Sequence, residues 1–431
     1  MQDTLDTSAS ANPAAADPHD ARARLASAAR AASVDAIDIA RRLVAIPSAC
    51  PPGDTHAMAD AIATIAADIP GLDVERYGTL PHVMNLVLRL KGNGPGPTLV
   101  FNGHMDTFPL VNAEAWSADP GGEVRGGDLF GLGVSDMKGG IAAILVAMRQ
   151  LANCRHAWRG EVVATFVGDE ETMGVAGTQY LLDHVPHARG DAMISADTGS
   201  MRVLRFGEKG MIWLTLRASG KSAHAAHVHK GDSAIEKLLR ALDAMTGLRD
   251  MQVAPPPTVL AAIREASAVS EALSGTGESD VLRGITMTIG TIHGGRLPNL
   301  VADAAEATVD LRLPVGTSVA DVEHELAQIL QKCPGVEAII DRRYEPSWTS
   351  PEDAVVTTLR RCCEEVTGVP SVVNMRVGAS DARLYRRAGV PTVVCGLTPR
   401  NMGAPDEHVS IAELRALAEA FALTAFDFLT A

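Results

Sequence analysis

The chain has 431 residues and a formal net charge of −14, from 38 Lys and Arg against 52 Asp and Glu. That acid surplus argues against a surface built to neutralise phosphates, hence against nucleic acid as a partner. A hydrophobic share of 46% with 21% charged residues is that of a globular chain, and the longest apolar stretch, near residues 139–148, falls short of the roughly 20 residues that a membrane span requires.

Residues 1–32 are rich in Ala, Asp and Ser, without the basic and apolar regions of a secretory signal, and read as a disordered or loosely helical leader. The apolar spacing predicts a helix over 33–44, stopped by Pro47, Pro51, Pro52 and Gly53. Strands are expected over 85–90 and 98–101, a helix over 139–151, a buried strand over 161–167, a helix over 174–182 and a strand over 192–195. The grammar then changes: strand 211–218, helix 232–248, strands 284–293 and 305–313, and helix 319–331, a ferredoxin-like order. Helix 354–367, strand 372–377, helix 382–387, strand 392–395 and helix 411–429 restore the α/β alternation. The economical division is a leader (1–32), an α/β catalytic domain in two parts (33–207 and 335–431), and an inserted α+β lid and dimerisation domain (208–334). Six cysteines without a CxxC pair read as the reduced thiols of a cytoplasmic protein.

Four segments follow predicted strands or open a predicted helix: Gly103-His104-Met105-Asp106, Asp136-Met137-Lys138-Gly139-Gly140, Asp169-Glu170-Glu171 and Ala196-Asp197-Thr198. In open α/β sheets, ligands bind outside the carboxyl ends of strands, so four such clusters converge on one rim. Grouped carboxylates destabilise a fold unless a cation neutralises them. With His104 as a nitrogen donor, the set points to zinc, with cobalt or manganese as substitutes.

This set, with a late His408, resembles the dizinc peptidase family of aminoacylases, acetylornithine deacetylases, succinyl-diaminopimelate desuccinylases and glutamate carboxypeptidases, from about Ala36 to the end of the chain. The resemblance implies that Asp136 bridges two metals, that His104 and Asp197 complete one, and that Glu171 and His408 complete the other. Glu170 would be the general base acting on a metal-bound hydroxide, and Asp106 would orient His104. Two Zn²⁺ then balance three ligand carboxylates and one hydroxide, which leaves Glu170 over for proton transfer. The family often carries Glu at the position of Asp197, in Glu-Pro-Thr or Glu-Pro-Ser; here the segment is Asp197-Thr198-Gly199, and Asp is a competent ligand.

In the insert, Gly220-Lys-Ser-Ala-His224 resembles the family segment whose histidine reaches the partner subunit's site and donates to the oxyanion, which implies a homodimer. His227 and His229 read as turn histidines. Asn299, in Pro298-Asn299, and Arg312, in Asp310-Leu311-Arg312, match positions that recognise the substrate carbonyl and carboxylate. Gly378, in Gly378-Ala-Ser380-Asp, matches a pocket turn that contacts the substrate. The implied activity is hydrolysis of an N-acyl amino acid or small peptide with a free carboxylate; the alternative is glutamate-carboxypeptidase-like or dipeptidase action. A remote alternative is a serine hydrolase with Ser380 in a nucleophile elbow and His408 as base. A dinucleotide role for Gly131-Leu-Gly133-Val-Ser-Asp136 is disfavoured, because Asp136 stands where a glycine belongs and would repel a pyrophosphate.

Overall fold

The structure, a computed structural model, describes residues 18–431. A nine-stranded mixed sheet forms the larger core. Its order is Leu72–Leu80, Val83–Lys91, Glu161–Val167, Thr98–His104, Ala192–Ser195, Thr392–Val394, Val203–Glu208 and Ser347–Trp348, with Val372–Arg376 also paired to Val203–Glu208. Thr98–His104 lies parallel to both of its neighbours. Covered on both faces, it carries the apolar run Leu99-Val100-Phe101 rather than an alternation. The helix Gly139–Asn153 is buried on nearly every side and packs against the closing helix Ile411–Thr430. That last helix is capped by the Ser410 hydroxyl, which accepts from the Glu413 N–H.

A separate antiparallel sheet has the order Thr286–Gly294, Ala304–Leu313, Gly210–Ser219 and Val336–Tyr344. Leu214, Leu216, Leu238, Leu242, Val309 and Leu326 belong to its core, which the helices Ala234–Met245 and Val319–Gln331 cover. Its fourth strand lies beyond residue 334, the limit suggested by the sequence. The alternation of Val336, Ala338 and Ile340 places those three against the small core. The helix Pro257–Ser274, within the same segment, instead sends Val259, Ala262 and Ile263 into the larger core.

Residues 18–32 correct the expectation of a disordered or loosely helical leader: they are a helix packed into the core. They form the helix Pro18–Ala32, whose Ala21, Leu25 and Ala29 recur every fourth residue and are buried in the larger core. The rest of that expectation, residues 1–17, lies outside the described residues. Arg22 ties this helix down: its Nε and Nη2 donate to Asp427 at 2.7 and 2.9 Å, and its Nη1 and Nη2 donate to Glu365 at 3.0 and 2.7 Å. The hydrogen bond from Arg22 holds Glu365 below its ordinary pKa. At Asp427 burial acts upward, but Arg22 and Arg361 outweigh it and keep the carboxyl low.

Carboxylates with depressed folded pKa values contribute stability above their unfolded values, and that contribution is lost as pH falls through the folded ones. Arg22→Ala is therefore expected to cost about 1–2 kcal/mol at neutral pH, a figure discounted for the exposed Glu365 side. The difference from wild type should shrink below pH ~4. Urea titrations at pH 7 and pH 3 check this; a loss independent of pH would mean that packing, not charge, holds the helix. No helix among the described residues is long and apolar enough to cross a membrane.

Candidate metal centre

Strand register builds the site. In the parallel pairs, His104 stands opposite Val167, and Asn102 opposite Ser195. Three carboxyl ends are thereby level, and His104, Glu170 and Asp197 emerge within a few residues of them. The Met105 N–H donates to the Val167 carbonyl at 2.7 Å and carries the pairing to the rim.

His104, Asp136 and Glu171 each present a donor atom, and these atoms all lie within 4.8 Å of one another. His104 Nε2 is 2.8 Å from Asp136 Oδ1, and its Nδ1 is 2.9 Å from the Asp106 carbonyl and 3.6 Å from Asp106 Oδ1. The Asp106 carboxylate accepts from the N–H groups of Glu170 (3.3 Å) and Glu171 (3.0 Å). Asp106 thus fixes the histidine through its backbone carbonyl and the backbone of both glutamates through its carboxylate.

The electrostatics show a site short of positive charge. Burial raises Glu170 well above the carboxylate range; His104 opposes this, while Asp381, Asp197 and Glu171 add to it. Burial pushes Glu171 up to about 8 and Asp169 up to about 7. Burial alone would lower His104, but its bonds to Asp106 and Asp136 outweigh this and raise it. Glu171 Oε1 is buried without a hydrogen-bond partner. An orphaned oxygen, a histidine nitrogen and clustered carboxylates form the donor set of a hard-to-borderline divalent cation, so the residues present fit a metal.

The remaining ligands expected from sequence, Asp197 and His408, are outside the group of three donors that lie within 4.8 Å of one another. Asp197 is buried, and its Oδ2 is 2.9 Å from Arg376 Nη1. His408 pairs across strands with Phe130 and stacks on its ring at 4.5 Å, with Nδ1 2.7 Å from the Asp406 carbonyl. Its neighbour Glu407 is buried and accepts from the Gly133 N–H (3.1 Å), the Ser135 N–H (3.0 Å) and the Ser135 hydroxyl (2.7 Å). This lacing brings the His408 strand onto the segment that carries Asp136.

Three of the four substrate residues lie on the small-sheet unit instead. His224 and Asn299 are exposed next to each other on the small-sheet unit, where the Ala225 N–H donates to the Asn299 carbonyl at 2.9 Å. Arg312 is engaged by Asp310: its Nε donates at 2.9 Å and its Nη2 at 2.9 Å. Gly378 sits beside Arg376, where an added Cβ would stand 3.8 Å from Nε.

Ser380 corrects the serine-hydrolase alternative. It is fully buried, and its hydroxyl donates to Glu208 Oε2 at 2.9 Å. A nucleophile needs access to substrate and a base that takes its proton, and here a structural carboxylate of the core holds it.

Several residues escaped the sequence reading. Arg376 ends a strand just as the acid clusters do, so the same signal could have found it. Lys138, within the Asp136 motif, is buried, donates to the Ile46 carbonyl at 2.8 Å and is lowered to about 7 by burial. Asp381 is buried, accepts from the Thr178 hydroxyl at 2.6 Å and adds negative charge behind Glu170.

Comparison with known proteins agrees with this geometry. The model of peptidase family M20/M25/M40 matches residues 100–427. A succinyl-diaminopimelate desuccinylase of Cereibacter sphaeroides is 29% identical over 414 residues, covering 92% of this chain and all of that protein. Among solved structures, an M20 family metallo-carboxypeptidase of Sulfolobus solfataricus superposes with a TM-score of 0.76 at 18% identity, over 92% of this chain and 100% of its own. A dinuclear metal-binding peptidase of the M20 family from Bacillus subtilis has a TM-score of 0.65 at 14% identity, over 93% and 99%.

Proposed function

We propose, on the premise that the chain belongs to peptidase family M20/M25/M40, that it hydrolyses the amide bond of an N-acyl amino acid or small peptide with a free carboxylate. The chain is a metal-dependent amide hydrolase. The observation that carries the finer reading is the meeting of His104, Asp136 and Glu171 at one point, with Glu170 beside them.

Asp136 would be shared by two metals, His104 and Asp197 would serve one, and Glu171 and His408 the other, with zinc as the metal the donor set suits best. Bound there, the metals would polarise the scissile carbonyl and acidify a water. Glu170 would take a proton from the attacking water and return it to the leaving nitrogen. Asp106 keeps His104 oriented, and through two backbone N–H groups it holds the Glu170–Glu171 turn in place.

The small-sheet unit would act as lid and dimerisation surface. His224 is exposed there and free to serve a partner subunit's site in a homodimer. Asn299 beside it would meet the substrate carbonyl, and Gly378 would line the pocket. Asp310 occupies the Nε–Nη2 edge of Arg312, which leaves Nη1 for an α-carboxylate. The six free cysteines suit a cytoplasmic location.

A hydrolysis screen with Zn²⁺, Co²⁺ or Mn²⁺ tests this, using N-acetyl amino acids, N-succinyl amino acids and dipeptides, each with the carboxylate free or amidated. Amidation is expected to lower kcat/KM by about 10–100-fold, the worth of one charged hydrogen bond. Equal rates on the blocked substrates would remove the role given to Arg312. Turnover of dipeptides alone would favour the dipeptidase reading.

A further inference from the structure

The turn that carries Glu170 is held by side chains from far along the chain. Glu170–Thr172 is a single helical turn, and Met173 closes it in the left-handed region, at φ 85°. A residue other than glycine stays there only where its surroundings hold it. So short a turn offers its last carbonyls no partner of its own, and two arginines supply one each. Arg383 Nη2 donates to the Met173 carbonyl at 2.7 Å, from the larger unit to which the turn belongs. Arg342 Nη1 donates to the Thr172 carbonyl at 3.1 Å, from the small sheet.

A bulge in the strand Val336–Tyr344 aims Arg342 at that carbonyl. Before the bulge, Val336, Ala338 and Ile340 face the small core and its helices. The register against Gly210–Ser219 then shifts, pairing Ile340 with Leu214 and Arg342 with Trp213 and leaving Asp341 over. One extra residue reverses the alternation beyond it. Arg343 accordingly turns to the helix side, where its Nη1 donates to Glu323 at 2.7 Å. Arg342 turns to the open face, 5.9 Å from the centre of the Trp213 ring. Without the bulge it would point away from Thr172. Tyr344, two residues on, lies 4.7 Å from the Arg383 guanidinium, so the same strand also meets the second arginine. The small-sheet unit is anchored well enough for this contact to be a defined one. Lys209, where the chain enters the small sheet, donates to the Val281 and Gly284 carbonyls at 2.6 and 2.7 Å, and the helix Pro257–Ser274 reaches into the larger core.

We propose that Arg342 is a positioning residue for the general base: it reaches from the small-sheet unit to the Thr172 carbonyl and holds the turn that carries Glu170, so that the base is correctly placed only while that unit is seated against it. This rests on the role given to Glu170 above. Arg342 and Thr172 are both exposed, so removing the arginine strands no buried group and leaves fold stability nearly unchanged. The loss falls on geometry instead. A shift of about 1 Å in a catalytic group costs up to about 100-fold in rate. Water replaces part of what Arg342 gives to an exposed carbonyl, which reduces the expected loss to about 5–10-fold.

The test uses the metal-loaded full chain as wild type, Arg342→Ala, Arg342→Lys, Glu170→Gln and the double variant, on the substrate that the screen above finds fastest. Arg342→Ala is expected to lower kcat by about 5–10-fold with KM within about two-fold, at unchanged melting temperature and metal content. Arg342→Lys, which still offers a charged donor, should stay within about two-fold of wild type. In the Glu170→Gln background, Arg342→Ala should change kcat by less than about two-fold, because there is no base left to position. Hydrogen exchange over residues 169–174, read by mass spectrometry, supplies a measure independent of turnover. It should be about 5–10-fold faster in Arg342→Ala and as in wild type in Arg342→Lys. Unchanged kcat or exchange in Arg342→Ala would overturn the proposal, as would the same loss in both backgrounds. Loss of bound metal would also overturn it, since Arg342 would then support the ligand Glu171 rather than the base. If wild type hydrolyses none of the substrates, the proposed function fails, and the exchange of the turn still decides whether Arg342 holds it.

Discussion

Glu170→Gln is expected to lower kcat by about 10³-fold, within the range that a positioned acid–base group contributes, while metal content and fold stay as in wild type. The amide keeps the shape and removes the proton acceptor. The backbone of Glu170 is fixed independently of its side chain, since its N–H donates to Asp106 Oδ1 at 3.3 Å. The turn therefore stays in place when the carboxyl is replaced. The loss should fall on kcat and leave KM within a few fold, because the carboxyl acts in the transition state rather than on bound substrate. Steady-state kinetics with metal analysis of the same samples checks this. Unchanged turnover in a fully loaded Glu170→Gln protein would show that another group moves the proton.

Removing the metal is the second large effect. Chelation is expected to abolish turnover, to lower the melting temperature, and to be reversed by adding back Zn²⁺, Co²⁺ or Mn²⁺. The reason lies in the cluster itself. Burial pushes both Glu170 and Glu171 upward, and neighbouring carboxylates add to it, Asp381, Asp197 and Glu171 at Glu170 and Asp136, Asp106 and Asp197 at Glu171; Glu171 Oε1 is buried without a hydrogen-bond partner. Each ion bound only by the folded state adds about 2.7 kcal/mol when present at 100 times its Kd. A thermal melt with and without chelator, repeated on Asp136→Asn, separates metal loss from general damage. The variant should lose most of the shift, because Asp136 is the ligand assigned to both ions. Activity that survives thorough chelation would sink the metal-dependent reading for this chain.

The parts of this protein that were legible in sequence share one physical basis. Thr98–His104 and Glu161–Val167 are buried along their length, and a strand covered on both faces shows itself as an apolar run with no partner needed to recognise it. Whatever polar residue follows such a run stands at the carboxyl end of the sheet. His104, Glu170, Glu171 and Asp197 could therefore be picked out as one rim before any tertiary contact was known. The closing helix was legible for a similar reason, with Ser410 and Glu413 marking its start in a long apolar stretch.

What failed in sequence had a different basis. The helix Pro18–Ala32 buries mostly alanine, a residue common on solvent faces too, and its docking shows only in tertiary contacts, in the burial of Ala21, Leu25 and Ala29 and in the pairing of Arg22 with Glu365 and Asp427 and of Arg30 with Glu419. Ser380 sits in a turn whose local pattern is that of a nucleophile, and its burial against Glu208 comes from a strand 172 residues earlier.

The sequence by itself determined the larger α/β alternation, the changed grammar of the small sheet and the candidacy of His104, Asp136 and Glu171, whose donor atoms lie within 4.8 Å of one another. These follow from periodicity and from the residue type at each strand end, which are local properties. Only the tertiary structure decided what each charge faces. Arg376 meets Asp197, Glu407 laces the segment leading to Asp136, and Asp310 takes the fork of Arg312. Pairing and burial depend on which strand lies beside which and in what register. The first two of these contacts join residues 179 and 272 positions apart, and the third, two residues apart, depends on both side chains sharing one face of a strand. Electrostatic energy depends on distance and on exclusion of water, and a linear pattern of residues carries neither.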